Sequence, residues 1–147
     1  METNNFIKKV YTVAFRLTGD VTKADYLAFK AINASYSTLK LSDMETSHMF
    51  EKSVMEVFGL FLSESKNTGE VFKIFKEIPY DEPFQEALMS LKPLSRATVV
   101  WRDVLGRSLE EMNMIGYNKK ELYSELNNGR RFIKELLNEK YIKKTGA

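Results

Sequence analysis

Residues 118–131 concentrate side chains of the kinds that bind nucleic acids. They are Asn118, Lys119, Lys120, Tyr123, Ser124, Asn127, Arg130 and Arg131. Lysine and arginine neutralise phosphates, whereas amide and hydroxyl groups hydrogen-bond to base edges, and the carboxamide of Asn127 has the donor and the acceptor that adenine requires. We therefore expect these eight residues to contact DNA, provided that the surrounding helices present them to solvent.

Catalysis and metal binding find little support in the sequence. Cysteine is absent and His48 is the only histidine, which excludes disulfides and argues against a histidine-dependent catalytic site. There is no glycine-rich phosphate loop and no G-x-S-x-G or H-E-x-x-H motif. We expect a protein without enzymatic activity, cofactor or bound metal.

Two capped helices around a tight turn would position the polar segment. Ser108 and Glu111 have the spacing of a capping box, which predicts a helix directly after Ser108. Gly116 can take the left-handed conformation that ends that helix, and Asn118 with Glu121 predicts the start of the next. This pattern is a helix-turn-helix, which places its second helix in the DNA major groove. A plain αα-hairpin has the same signals, so that alternative stays open.

The remaining sequence predicts an all-α chain of two small helical domains. Helical spacing of apolar residues occurs over 5–18, 20–39, 43–63 and 84–91, with Pro93 in the first turn of a further helix. Gly19 is expected to end the first of these helices and Asp20 to cap the second. We expect a first domain over 1–66, a linker over 67–83 and a helix-turn-helix domain over 84–147. The predicted core of the last domain contains Val99, Val100, Val104, Leu105, Leu122, Leu126, Ile133 and Leu137, with Trp101 half-buried.

Charge is unevenly distributed along the chain. The overall net charge is +2, but residues 41–90 carry −6 and residues 117–147 carry +4. A basic carboxy-terminal part suits an anionic partner. No apolar run is long enough to span a bilayer and no signal-peptide pattern is present, so we expect a cytoplasmic protein.

The carboxy-terminal half resembles region 4 of the extracytoplasmic-function sigma factors, the small promoter-recognition subunits of bacterial RNA polymerase. The residues that carry the resemblance are Leu88, Leu91, Pro93, Arg96, Val99, Val100, Gly106, Ser108, Glu110, Glu111, Gly116, Leu126, Arg130 and Arg131. The resemblance implies a protein that binds promoter DNA and core RNA polymerase, and it makes an anti-sigma or co-sigma protein a further possible partner.

The first helical hairpin resembles sigma region 2. The match is carried by Ala14, Arg16, Leu17, Thr18, Gly19, Asp20, Ala24 and Leu27. In the family the following polar residues help to dock the factor on the polymerase, which here implies a polymerase-binding surface of Asp20, Lys23, Asp25, Tyr26, Phe29 and Lys30. Tyr26, Phe29 and Lys30 replace an acid, an amide and a second acid, and the two aromatic residues are as compatible with extra core as with a surface.

Three further departures from the family pattern, together with Tyr26, Phe29 and Lys30, support an alternative function. Glu125 stands where the family usually carries arginine, the Glu110–Gly116 spacing is one residue shorter, and the family's promoter-melting pattern is missing from the acidic third helix. A residue lost from a helix rotates the next part of that helix by about 100°. The alternative is therefore a degenerate sigma-like protein that acts by protein contacts, as a co-sigma subunit or as a regulator of another sigma factor.

Overall fold

The computed structural model describes residues 3–38, 46–68 and 83–144, which form helices and connecting turns without a β-strand. The predicted all-α class is therefore confirmed. The chain divides into two compact units, Met1–Glu70 and Val71–Ala147. The linker predicted over 67–83 falls almost wholly outside the described residues and stays a prediction. Across the described ranges, no helix has the length and hydropathy needed to cross a membrane.

The amino-terminal unit contains three helices that pack against one another in every pairing: α1 (Thr3–Thr18), α2 (Val21–Thr38) and α3 (Thr46–Thr68). Each helix turns an apolar stripe inward, as the sequence predicts. The buried residues are Phe6, Val10, Val13, Ala14, Leu17, Ala24, Leu27, Ala28, Ala31, Met49, Val54, Val57, Phe58, Phe61 and Leu62. The small alanines of α2 allow close packing of its neighbours.

The α1–α2 junction forms by local capping. Gly19 has φ +64° and its amide donates to the Phe15 carbonyl at 2.7 Å, which ends α1. Asp20 Oδ1 then accepts hydrogen bonds from the amides of Thr22 and Lys23 at 2.8 and 3.1 Å and starts α2. Both features were predicted from the sequence, and they turn the chain sharply enough for α1 and α2 to form a hairpin.

The carboxy-terminal unit contains α4 (Pro83–Met89), α5 (Pro93–Val99) and α6 (Lys119–Lys144). A π-helical turn, Val100–Val104, extends α5, and a 3₁₀ helix, Leu109–Ile115, precedes α6. Helix α6 packs against α4, α5 and the 3₁₀ helix. Leu122, Leu126 and Ile133 of α6 are buried, and Leu137 is half-buried, so the predicted inner stripe is correct.

Arg96 holds α4 and α5 together from inside the core. Its side chain is fully buried, and its guanidinium donates to the carbonyls of Leu88 at 2.8 Å, Leu91 at 2.9 Å and Met89 at 3.2 Å. These carbonyls lie at the end of α4 and in the turn after it, where a helix leaves its acceptors unsatisfied. Burial lowers the pKa of Arg96 to about 10, so the group remains a cation at neutral pH. Arg96 therefore has a structural role.

The prediction that Val104 belongs to the core is wrong, because its side chain is exposed. The π-helical turn carries this residue past the part of α5 that α6 covers. Trp101 is more buried than predicted, at 0% exposed, and its indole N–H donates to the Ser108 carbonyl at 2.8 Å. The Arg107 guanidinium lies 5.5 Å from the centre of the indole ring, within the range of a cation–π contact.

Candidate nucleic-acid interface

The turn before α6 has the local geometry of the predicted helix-turn-helix. Ser108 Oγ accepts from the Glu110 amide at 3.3 Å at the start of the 3₁₀ helix. Gly116 has φ +95°, a conformation that side chains other than glycine rarely adopt. Asn118 Oδ1 accepts from the Lys120 amide at 2.8 Å and caps α6. The side chain of Asn118 therefore caps α6, although it is exposed to solvent.

The shortened spacing before Gly116 is accommodated by a change of helix type. The segment Leu109–Ile115 is a 3₁₀ helix rather than an α-helix. Two turns take about six residues in a 3₁₀ helix and about seven in an α-helix, so one residue fewer still completes two turns. Leu109 and Met112 are buried and anchor these turns in the core. The shorter spacing therefore does not require a rotation of α6.

Four of the predicted DNA contacts form a solvent-exposed row along α6. Lys120, Ser124, Asn127 and Arg131 are all exposed. They lie within about 60° of one another around the helix axis and extend over about 16 Å. Arg131 donates to Asn128 Oδ1 at 3.1 Å, and in the described ranges neither Lys120 nor Arg131 forms an ion pair. We call Lys120, Ser124, Asn127 and Arg131 the contact row.

The other two predicted cations are engaged with carboxylates of the same unit. Lys119 Nζ lies 2.7 Å from Glu110 Oε1. Arg130 binds Asp103 through two hydrogen bonds, Nε to Oδ2 at 2.9 Å and Nη2 to Oδ1 at 2.6 Å. The Glu110 carboxylate raises the pKa of Lys119, Lys119 lowers the pKa of Glu110, and the hydrogen bonds to Asp103 raise the pKa of Arg130. Each of these two cations therefore has a fixed partner within the fold.

Lys119 and Arg130 also lie on a different side of the helix. Both positions are about 100° from the middle of the contact row, toward the elements that precede α6. Tyr123 lies between the two sets and is 43% exposed. The predicted set of eight residues is therefore divided by the structure into a cap, a contact row, two paired cations and one exposed aromatic residue.

Glu125, which stands where the family usually carries arginine, is directed toward α5. Its carboxylate is half-buried and accepts a short hydrogen bond from Ser95 Oγ of α5. One turn further along α6, Gly129 is buried against α5, where an added Cβ would lie 2.9 Å from Val99 Cγ2. Glu125 and Gly129 therefore lie at the contact between α6 and α5, and Glu125 is about 130° around the helix axis from the middle of the contact row.

The predicted polymerase-binding residues lie on α2 and at its start. Tyr26 and Phe29 are 50% and 68% exposed, which excludes the core interpretation of these aromatics. Asp25 and Lys30 are exposed, and Lys30 Nζ lies 4.9 Å above the centre of the Tyr26 ring. Asp20 and Lys23 are half-buried, and Asp20 serves as the α2 cap. Whether this surface binds polymerase stays a prediction.

A groove runs between α1 and α2 beside these aromatics. Its volume is about 860 Å³, and it is open to solvent. The lining residues are Ile7, Lys8, Tyr11, Asp25, Tyr26, Ala28, Phe29, Ile32 and Asn33. Exposed apolar surface of this kind is typical of a protein-binding face. The hairpin therefore offers a contact surface that is more apolar than the one the family resemblance implied.

Sequence analysis did not identify the partners of the paired cations. Asp103 is 27 residues from Arg130, and Glu110 is 9 residues from Lys119, and no local pattern connects them. The Ser95–Glu125 hydrogen bond spans 30 residues and was missed for the same reason. Only the helix packing brings these groups together.

Comparison with protein-family models gives no match, and comparison with curated protein sequences gives none either. Among solved structures, a similar fold is found in the co-crystal structure of the sigma factor RpoE in complex with the anti-sigma factor NepR from Bartonella quintana. The TM-score is 0.63 at 17% identity, covering 92% of this chain and 93% of that chain. The resemblance to a sigma factor is thus confirmed at the level of the fold, over residues of both units.

Proposed function

We propose that this chain is a divergent sigma-factor-like protein of bacterial transcription, which binds core RNA polymerase through the α1–α2 hairpin and promoter DNA through the contact row of α6. The observation that carries the proposal is the contact row itself. Two cations flank a hydroxyl and a carboxamide on the exposed side of a helix that comes directly after a tight turn. This arrangement has the donors and charges that a recognition helix needs.

The similarity of fold supports the same function. A sigma factor is a binding subunit, and the sequence has none of the catalytic motifs considered above. In the described part of the chain, no three histidine or carboxylate side chains are grouped so that they could hold a metal ion. Such a protein acts in the cytoplasm, on the chromosome. Because the RpoE structure contains the anti-sigma factor NepR, we also propose that an anti-sigma protein regulates this chain.

The first experiment is retention of core RNA polymerase by the immobilised full chain. The variant Tyr26→Glu with Phe29→Glu places two charges in the apolar groove, and we expect it to lose retention. Phe132→Glu is a matched control, because Phe132 is an exposed aromatic residue of the other unit, at 40% exposed. Equal retention of all three proteins would reject the hairpin as the polymerase-binding surface.

The second experiment tests DNA binding by selection from a pool of random duplexes, with the full chain alone and with core polymerase. We expect the wild-type protein to enrich one sequence and the variant Lys120→Glu with Arg131→Glu to enrich none. In a titration of binding against salt, each lost phosphate contact makes the negative slope of log K against log salt shallower by about 0.9. Enrichment by the double variant would exclude the contact row.

A specific observation favours the alternative function. The apolar groove of the hairpin and the neutralisation of Lys119 and Arg130 by carboxylates both suit a protein that acts through protein contacts alone. This alternative predicts that the chain retains polymerase or another sigma factor but enriches no duplex. Formation of open promoter complexes by this chain and core polymerase alone would rule it out.

A further inference from the structure

We infer that Lys119 and Arg130 are positioning residues, which hold the recognition helix at a fixed angle, and that they do not contact DNA phosphates. This inference rests on the proposed DNA-binding function. It assigns different tasks to two sets of cations that the sequence presents as one cluster. The two sets are distinguished by what each cation already binds within the fold.

The geometry of the two pairs carries the inference. Arg130 and Asp103 form a two-bond guanidinium–carboxylate pair, the arrangement with the most restricted geometry available to exposed charges. It joins α6 to the π-helical turn. Lys119 and Glu110 join the first turn of α6 to the 3₁₀ helix across the tight turn. The two attachment points are 11 residues apart along α6, so together they restrain both its tilt and its rotation.

Charge distribution along α6 agrees with this assignment. The Asp103 and Glu110 carboxylates stand beside Arg130 and Lys119, so a phosphate would have to displace a closely bound anion at each site. Lys120 and Arg131 have no such competitor among the described residues. We therefore expect the cations of the contact row to bind the phosphates.

Salt dependence separates the two roles. We expect Lys120→Ala and Arg131→Ala each to lower the magnitude of the slope of log K against log salt by about 0.9. The enriched duplex should stay preferred over a scrambled one. We expect Lys119→Ala and Arg130→Ala to keep the wild-type slope and to lower that preference by up to about fivefold, the upper range for an exposed ion pair. A purely structural role would lower neither the slope nor the preference in the fraction that remains folded. A lower slope for Arg130→Ala would overturn the inference.

Charge exchange gives an independent test. Arg130→Asp places two carboxylates together, and Asp103→Arg in the same chain rebuilds the pair with the charges exchanged. We expect the exchanged pair to restore the preference for the enriched duplex. The control is Asp103→Arg with Lys92→Asp, at an exposed lysine outside the contact row; it has the same net charge but rebuilds no pair, and it should remain defective. Equal behaviour of the exchanged pair and the control would contradict the inference.

The two proposals fail in different ways. If the wild-type chain enriches no duplex, the DNA-binding function fails. The positioning role is then decided by urea unfolding of the same variants. Arg130→Asp should lower the unfolding midpoint and the exchanged pair should restore it, whereas an unrestored midpoint would show that the pair does not hold α6 in place.

Discussion

Replacement of Gly129 by alanine should destabilise the carboxy-terminal unit, although alanine is the better helix former. In the interior of a helix, alanine gains about 1 kcal/mol over glycine. At this position, however, the new Cβ would lie 2.9 Å from Val99 Cγ2, and 3.5 Å from both Leu91 Cδ1 and the Ser95 carbonyl oxygen. The first distance is shorter than van der Waals contact, so the core has to move.

Val99 cannot easily yield to the added methyl group. It is 1% exposed, and its β-branched side chain has one strongly preferred rotamer in a helix. Overpacking of a well-packed core costs about 1–3 kcal/mol. Set against the gain in helix propensity, we expect a net loss of about 1 kcal/mol in the free energy of unfolding.

The assay is urea unfolding followed by the fluorescence of Trp101. This residue is the only tryptophan and is buried in the same unit as Gly129, so its emission reports on that unit. The matched control is Gly59→Ala in the interior of α3, where no described atom lies within 4 Å of the added Cβ. Measured by circular dichroism, the control should be stabilised by about 1 kcal/mol.

The two alanine substitutions should therefore have opposite signs. If Gly129→Ala instead raised the free energy of unfolding by the full gain in helix propensity, about 1 kcal/mol, the close approach of α6 to α5 would be refuted. A double variant with Val99→Ala provides a second check. Because the shorter side chain removes the overlapping methyl, the two changes together should cost less than the sum of their separate effects.

Three further predictions concern Arg96, Gly116 and the Glu110–Lys119 pair. Arg96→Met keeps the volume of the side chain but removes the donors to the carbonyls at the end of α4 and after it, so we expect the free energy of unfolding in urea to fall by about 2–4 kcal/mol. Arg96→Lys should recover only part of this loss. Full stability of the methionine variant would contradict the structural role of Arg96. Gly116→Ala places a side chain at φ +95° and should lower the free energy of unfolding by about 1–2 kcal/mol, and Gly116→Asn should lower it by less. An unchanged thermal midpoint would argue against this turn conformation. The Glu110–Lys119 pair stabilises the fold above the unfolded pKa of the glutamate, about 4.3, and below that of the lysine, about 10.4. Because the folded pKa of Glu110 is lowered, the contribution is lost as pH falls from the unfolded value through that lower folded pKa. Because the folded pKa of Lys119 is raised, the contribution is also lost as pH rises from the unfolded value through that higher folded pKa. The stability difference between the wild type and Glu110→Gln should therefore vanish in acid, and a difference that persists there would show that the pair is not its cause.

Local capping signals predicted the helix boundaries at the α1–α2 junction and at the turn before α6. Gly19 with Asp20, and Gly116 with Asn118, act within a few residues of their positions, and the structure confirms each of them. Apolar spacing was equally reliable for the inner face of α6, because burial of one stripe depends mainly on helical periodicity.

Features that depend on contacts between distant residues could not be predicted in this way. The exposure of Val104 results from a π-helical turn, and the 3₁₀ helix before Gly116 results from how its residues fit the core. The partners of Glu125 and Arg130 come from other helices. The sequence therefore predicted the residues of the candidate interface, but not which of its cations pair with carboxylates of the preceding elements.

The packing of α6 also determines when each half of the protein can fold during synthesis. The core of the carboxy-terminal unit contains Leu122, Leu126 and Ile133, which are synthesised after the other core residues of that unit. Helices α4 and α5 have seven residues each and are too short to persist alone in water. The amino-terminal unit has its three helices complete by residue 68, so it can fold and expose its hairpin while the rest is still being made. A nascent chain would therefore complete the groove between α1 and α2 before α6 has packed.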